Sequence, residues 1–230
     1  MSKSNLAVKE ELENVAVENV IIINQNEQEN YRPSKDKEIR VNNNLSYLIM
    51  KKIVDIIAGI LGTILLVPLI AVVWFIRICL HENDGPLFFE QIRIGKNGKQ
   101  FRMYKFRTMV MEADEKLYKY LEENPEAKKE YKKYKKLKHD PRITKLGNTS
   151  LDEFPQFVNI LKGEMSLVGP RPYLHREKED LGEYYYNSIT KVKPGITGYW
   201  QVNGRNDVDF EERAYMDTYY IERRGIVMDL

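Results

Sequence analysis

Cysteine is nearly absent from this chain. Cys79 is the only one in 230 residues, which excludes an intramolecular disulfide framework and a cysteine-built metal site, and fits a reducing, cytoplasm-facing location. Histidine is scarce as well: His81, His139 and His175 match no metal-ligand spacing. No P-loop, dinucleotide-binding glycine fingerprint or zinc signature is present. The chain also lacks an early apolar segment closed by a small-residue cleavage site, so no secretory signal peptide is expected. Nor is there an excess of one charge: 36 Lys and Arg against 34 Asp and Glu leave +2, and bulk charge selects no partner.

What the sequence does contain is unevenly placed. With 43% hydrophobic and 30% charged residues it fits one compact domain plus accessories. Residues 1–46 are polar, rich in Asn and Glu, and cannot bury enough apolar surface to offset their ordering entropy, so a mostly disordered tail is expected there. From Ile53 to Leu80 the chain turns apolar, and Ile56 to Ile76, 21 positions, carries no charge. A spanning helix needs roughly 20 such residues. Pro68 sits mid-run, where its missing N–H and its ring predict a kink near Leu65 to Val67. Both flanks are basic, with Lys51 and Lys52 before and Arg77, Arg93, Lys96 and Lys99 after, so charge gives no crossing direction. A re-entrant kinked helix, a true span and a buried core helix all remain open on this pattern.

Asn97-Gly98 between two β-prone runs, 87–94 and 100–108, predicts a hairpin. The two-residue period puts Phe101, Met103, Lys105 and Arg107 on one face of its second strand, where the two cations can either bracket a phosphate or form a solvated edge. Residues 111–139 are helix formers interrupted at Asn124-Pro125, with tyrosines among a run of lysines. That pattern suits an anionic membrane interface or a plain solvated face. Without a recognition motif, nucleic acid is not expected.

Ser150-Leu151-Asp152-Glu153 has the form of a capping box before the apolar run Phe154 to Leu161, with Gly163 as the stop. Pro155 restricts where that cap can lie. A carboxylate in this position can alternatively act as a nucleophile toward phosphorus while its neighbour ligates Mg²⁺. Gly169-Pro170-Arg171-Pro172 holds Arg171 in a stiff turn, and Lys193 to Arg205 combines turn chemistry with a short strand whose polar side chains can recognise a nucleotide. Asp217 falls on a predicted helix after it.

The order of these signals resembles the monotopic phosphoglycosyl transferases, the bacterial sugar-transferase family. The resemblance rests on the apolar segment with Pro68, Tyr104 to Met109, Asp140 to Thr144, Ser150 to Glu153, Lys162 to Pro172 and Lys193 to Arg205, and covers most of the last 180 residues. It implies an α+β, mostly helical fold. Residues 47–81 would form a re-entrant helix-break-helix membrane hairpin, and 82–230 a cytoplasmic catalytic domain with a small β-hairpin and amphipathic surface helices. It also implies transfer of a sugar 1-phosphate from a UDP-sugar to polyprenyl (undecaprenyl) phosphate at the cytoplasmic face of the bacterial inner membrane, with release of UMP, through an aspartyl phosphosugar.

On the same grounds Asp152 would be the nucleophile, Glu153 the Mg²⁺ ligand, and Lys105 and Arg171 the catalytic cations. Arg107, Pro170, Pro172, Thr197, Gln201, Asn203, Arg205 and Asp217 would contact substrate, and a homodimer is a further expectation. Two features depart from the family pattern. Only Asn148 and Thr149 separate Gly147 from Ser150, where relatives carry several more residues including a basic one, and the sequence ends at Asp229-Leu230, where relatives continue into helix. A membrane-anchored scaffold or regulator of the same fold, impaired in catalysis, is the alternative expectation.

Overall fold

Asn44 starts the longest element, its side chain accepting the Ser46 N–H at 3.0 Å. Helix α1 (Leu45–Cys79) follows for 35 residues, with Pro68 inside it. In this computed structural model, which describes residues 38–82, 84–203 and 208–230, α1 is helical on both sides of that proline. The expected helix-break-helix is thus described as one continuous helix, since a proline removes one backbone donor and the flanking Leu, Ile and Val residues keep theirs.

The tail expected over 1–46 lies outside the described residues as far as position 37. Its last part is ordered: Ile39 is buried, and its carbonyl accepts from Lys191 Nζ at 3.0 Å. Asn42 Nδ2 donates to the Arg224 carbonyl at 2.8 Å while Arg224 Nε donates to the Asn42 carbonyl at 3.0 Å. The asparagines that read as solvated tail thus tie the chain down, and the folded part begins before position 47.

One stripe of α1 is buried: Asp55, Gly59, Gly62, Leu66, Val73 and Arg77 recur at helical spacing. The remaining faces expose Ile53, Ile57, Leu61, Ile64, Leu65, Trp74 and Phe75. By length and composition α1 qualifies to cross a membrane, and only 22% of its most apolar window is buried, unlike the core helix of a soluble domain.

The hairpin forms as the sequence predicts. Strands β1 (Phe88–Ile94) and β2 (Gln100–Phe106) pair antiparallel, with Phe88 opposite Phe106 and Ile94 opposite Gln100. Asn97 and Gly98 take the left-handed conformation the turn requires, at φ 59° and 72°. Asn124 ends α2 (Ala113–Glu123) and Pro125 opens α3 (Pro125–Tyr134), as the interruption there predicts. After a tight turn at Ser150–Glu153 comes α4 (Gln156–Leu161), then β3 (Ser166–Val168), α5 (Lys178–Ile189), β4 (Gly195–Thr197), α6 (Tyr199–Asn203), α7 (Phe210–Arg223) and α8 (Ile226–Asp229). Among the described residues the fold is mostly helical with two small sheets, β3 and β4 forming the second as a parallel pair.

Helix α4 is the hub. Its Phe157 and Leu161 nest where α1 has glycines: a Cβ on Gly62 would lie 2.2 Å from the Phe157 ring, and one on Gly59 2.7 Å from Leu161. Ile160 joins Phe101, Met103 and Met165 in the core, fixing α4 under β2. Leu66 and Val73 of α1 meet Phe106 and Leu146 in a second cluster. Asp55, a carboxylate in an apolar helix, accepts from Ser166 Oγ at 2.9 Å and Leu167 N at 2.8 Å, so β3 is bonded to α1 as well.

Candidate active site

Alternation along β2 sends Phe101 and Met103 into the core and leaves Lys105 at the open end of the same face. The turn Ser150–Glu153 arrives opposite it. Lys105 Nζ lies 3.1 Å from Asp152 Oδ2 and 3.3 Å from Glu153 Oε1, bridging both acids. The turn is a short 3₁₀ segment whose cap position is Thr149, which makes no side-chain cap bond, and the Glu153 carboxylate accepts from the lysine. Burial raises the Asp152 carboxyl above its usual range, Lys105 pulls it back and Glu153 pushes it up.

The opposite wall is built by β3 and β4. Gly169 N donates to the Thr197 carbonyl at 2.9 Å and Gly195 N to the Pro170 carbonyl at 2.9 Å. The backbones approach so closely that a Cβ on Gly195 would sit 2.2 Å from Gly169 N. This pins the Gly-Pro-Arg-Pro turn and presents Arg171, whose guanidinium lies 5.9 Å from the Trp200 ring and 6.0 Å from that of Tyr173.

Asp217 is not at the surface where substrate contact would put it. It is fully buried on α7, its Oδ2 accepting from Arg171 N at 3.1 Å and Tyr173 OH at 2.9 Å. It holds the loop rather than lining the cleft, and burial pushes its carboxyl up to about 7 against the pull of those bonds and of Arg171 and Arg213.

Between the walls lies a cleft of about 360 Å³, solvent-open space included, lined by Lys105, Glu153, Arg171, Pro172 and Gln201 among others. These expected site residues come together from four separate segments of the chain. Arg107 does not join them. It donates to the Pro86 carbonyl at 3.2 Å and stacks 5.2 Å from the Phe89 ring, because the strand ends at Phe106 and the chain turns away. Asn203 bonds its own helix at the Tyr199 carbonyl, 2.9 Å away, and Thr197 contributes its carbonyl to the Gly169 bond. Arg205 lies outside the described residues.

The cleft also holds residues the sequence did not single out. Arg93, buried, donates to the Pro172 carbonyl at 2.9 Å, and burial lowers its guanidinium to about 9, with Arg171 adding repulsion. Gln156 and Trp200 line the same space. Arg93 stands in the basic flank of the apolar run, and position alone gave no sign that it faces inward.

The sequence that builds this site has known relatives. A family model described as bacterial sugar transferase matches residues 46–230. The chain belongs to the bacterial sugar transferase family. It is 44% identical over 202 residues to an undecaprenyl-phosphate galactose phosphotransferase of Salmonella typhimurium, covering 84% of this chain and 41% of the relative. An uncharacterised sugar transferase of Haemophilus influenzae is 43% identical over 202 residues with the same coverage. The exopolysaccharide production protein ExoY of Sinorhizobium fredii is 40% identical over 189 residues, 79% of this chain and 81% of that protein. This chain therefore spans less than half the length of the first two relatives and most of the third.

For a divalent cation, the donors present are Asp152 and Glu153. No group of three His, Cys, Asp or Glu side chains is arranged to hold a metal among the described residues. Two adjacent carboxylates beside an open cleft fit a hard cation that keeps few protein oxygens and takes the rest from substrate phosphates.

Proposed function

We propose that this chain transfers a sugar 1-phosphate from a UDP-sugar to a polyprenyl phosphate at the cytoplasmic membrane face, releasing UMP. The observation that carries the reading is the bridge from Lys105 to both Asp152 and Glu153 at the mouth of a cleft whose far wall presents Arg171. Its relatives, named for galactose phosphotransfer to undecaprenyl phosphate and for exopolysaccharide production, support the same class of chemistry.

In the first step an Asp152 carboxylate oxygen attacks the sugar-bearing phosphorus. The bond to the bridging oxygen of the pyrophosphate breaks and UMP departs with the electron pair, leaving an aspartyl phosphosugar. In the second, a lipid phosphate oxygen attacks the same phosphorus and the carboxylate returns. Burial raises the Asp152 carboxyl, and Lys105 works against that rise by favouring the ionised form that a nucleophile requires. Arg171, fixed by the Asp217 bond at its backbone, offers a planar cation to the phosphate oxygens. Glu153, with Asp152 beside it, would hold Mg²⁺, which supplies charge neutralisation at the pyrophosphate.

The second substrate is a lipid, and the exposed apolar faces of α1 supply the medium for it. We read α1 as re-entrant, bending at Pro68, where the otherwise continuous helix lacks a backbone donor. Its buried stripe runs from Tyr47 to Arg77 against one domain, which supports both ends lying on one side of the bilayer. The test is UMP release from purified protein given candidate UDP-sugars, undecaprenyl phosphate and Mg²⁺. Release that is lost with chelator and in Asp152→Asn is expected. Release persisting in Asp152→Asn overturns the nucleophile, and no release with any donor favours a scaffold role.

A further inference from the structure

A fully buried amide joins the two halves of the site. Asn159 on α4 has none of its surface exposed. Its Oδ1 accepts the Tyr104 N–H at 3.1 Å, and its Nδ2 donates to the Arg102 carbonyl at 2.7 Å. Among the described residues no strand but β1 pairs with β2, so its other edge has no ladder partner. The Asn159 side chain meets that edge as a neighbouring strand would, taking one N–H and one C=O two residues apart. The second Nδ2 hydrogen goes to Glu164 Oε2 at 2.8 Å, which fixes which end of the amide faces which backbone group. The Asn159 carbonyl then accepts the Glu164 N–H at 3.0 Å, closing the turn after α4.

The position of this clamp matters more than its strength. Lys105 directly follows Tyr104, and the Asp152-Glu153 turn leads within three residues into α4. The two sides of the ion-pair cluster are carried on the two elements the amide joins. Apolar packing of Ile160 against Phe101 and Met103 holds α4 near β2 but tolerates sliding, since such contacts have no direction. Two hydrogen bonds to an N–H and a C=O on the same strand edge do not tolerate it, because sliding along that edge brings donor against donor and acceptor against acceptor.

We infer that Asn159 is a positioning residue for the transfer reaction, its amide setting the register between Lys105 and the Asp152-Glu153 pair. The inference rests on the proposed roles of those three residues, but the geometry it concerns can be tested without turnover. Lys105 Nζ is close enough to both carboxylates for a water-soluble carbodiimide to join them as an amide, with loss of water taken up by the reagent as its urea. The crosslinked peptide is measured by mass spectrometry of the full chain in detergent or nanodiscs.

In Asn159→Ala, and in Asn159→Asp, which keeps the acceptor and loses both donors, the yield of the Lys105 crosslink should fall about fivefold or more. The kcat for UMP release should fall about 10- to 100-fold, the scale expected when a reacting group is misplaced by an ångström, with KM changed less than about twofold. Glu164→Ala, which frees one amide hydrogen and leaves the clamp itself, should show the same changes in smaller degree, and covers the case in which the Asn159 variants do not fold. Variants that melt as wild type does and retain the full crosslink yield and kcat overturn the inference. A fall in crosslink yield in a protein that never releases UMP upholds the positioning role and sinks the proposed function instead.

Discussion

The buried carboxylate of Asp217 accepts the backbone N–H of Arg171 at 3.1 Å, so the cation of the Gly-Pro-Arg-Pro turn is aimed by an acid that never meets solvent. Burial raises this carboxyl from 3.8 to about 7. An acid whose folded pKa is raised holds a proton in the folded state that the unfolded chain has already released. Its contribution to stability is therefore full below about pH 4 and is lost as pH rises through 7. Asp217→Asn keeps an acceptor for Arg171 N and removes the titration. Melting temperatures measured across pH 4 to 8 should fall with pH less steeply in Asp217→Asn than in the parent chain. Equal slopes would remove the linkage assigned to this group.

Lys105 should set the acid limb of activity. Asp152 acts as a nucleophile only when ionised, and burial and Glu153 both oppose ionisation while Lys105 favours it. Lys105→Met leaves the two opposing effects in place, so the pH at which kcat/KM falls off on the acid side should move upward. At neutral pH the rate should drop by about 10²- to 10³-fold, the usual effect of removing one preorganised charge from a phosphoryl-transfer site. The pH profile separates this from general damage, which would lower the rate without shifting the limb.

Close packing under the site gives a third expectation. At Gly62 a single added Cβ would lie 2.2 Å from the Phe157 ring, so Gly62→Ala must push α4 away from α1. Overpacking of this kind costs about 1 to 3 kcal/mol. A melting temperature lowered by several degrees is expected, and Phe157→Leu in the same chain should recover part of it. If Gly62→Ala alone melts as the parent does, the contact is not tight.

Local chemistry made some of this fold legible. Asn97-Gly98 specifies its hairpin, and Asn124-Pro125 its helix break, because each acts on its own backbone. Lys105, Asp152, Glu153 and Arg171 were legible only through their order along the chain. Ser150 to Glu153 alone reads as a helix cap, and what turns Glu153 away is a lysine 48 positions earlier in sequence. Asp55, Arg93 and Asn159 were illegible for the same reason. A polar residue among apolar ones looks like a surface position until its partner is known, and their partners lie 111, 79 and 55 residues away. Asp217 was found, but its task was not: burial decided that it holds Arg171 rather than substrate.

The membrane arrangement can be tested on the thiol the chain already has. Helix α1 at 1.5 Å per residue is about 52 Å long, well beyond a hydrocarbon core of about 30 Å. Toward its N-terminal end Lys51 Nζ bonds the Val168 carbonyl at 2.9 Å and Asp229 at 2.8 Å, and toward its C-terminal end Val73 is buried with Phe106 and Leu146. A helix tied to one domain near both ends does not place those ends in different compartments unless the domain crosses with it. Cys79, free and exposed, marks one end, and Leu45→Cys in a Cys79→Ser chain marks the other. Treated with a membrane-impermeant maleimide, intact cells should label neither, whereas lysed cells should label both. Labelling of one end from outside would show a span, and the lipid phosphate would then have to reach Asp152 by a route other than along a helix lying beside it.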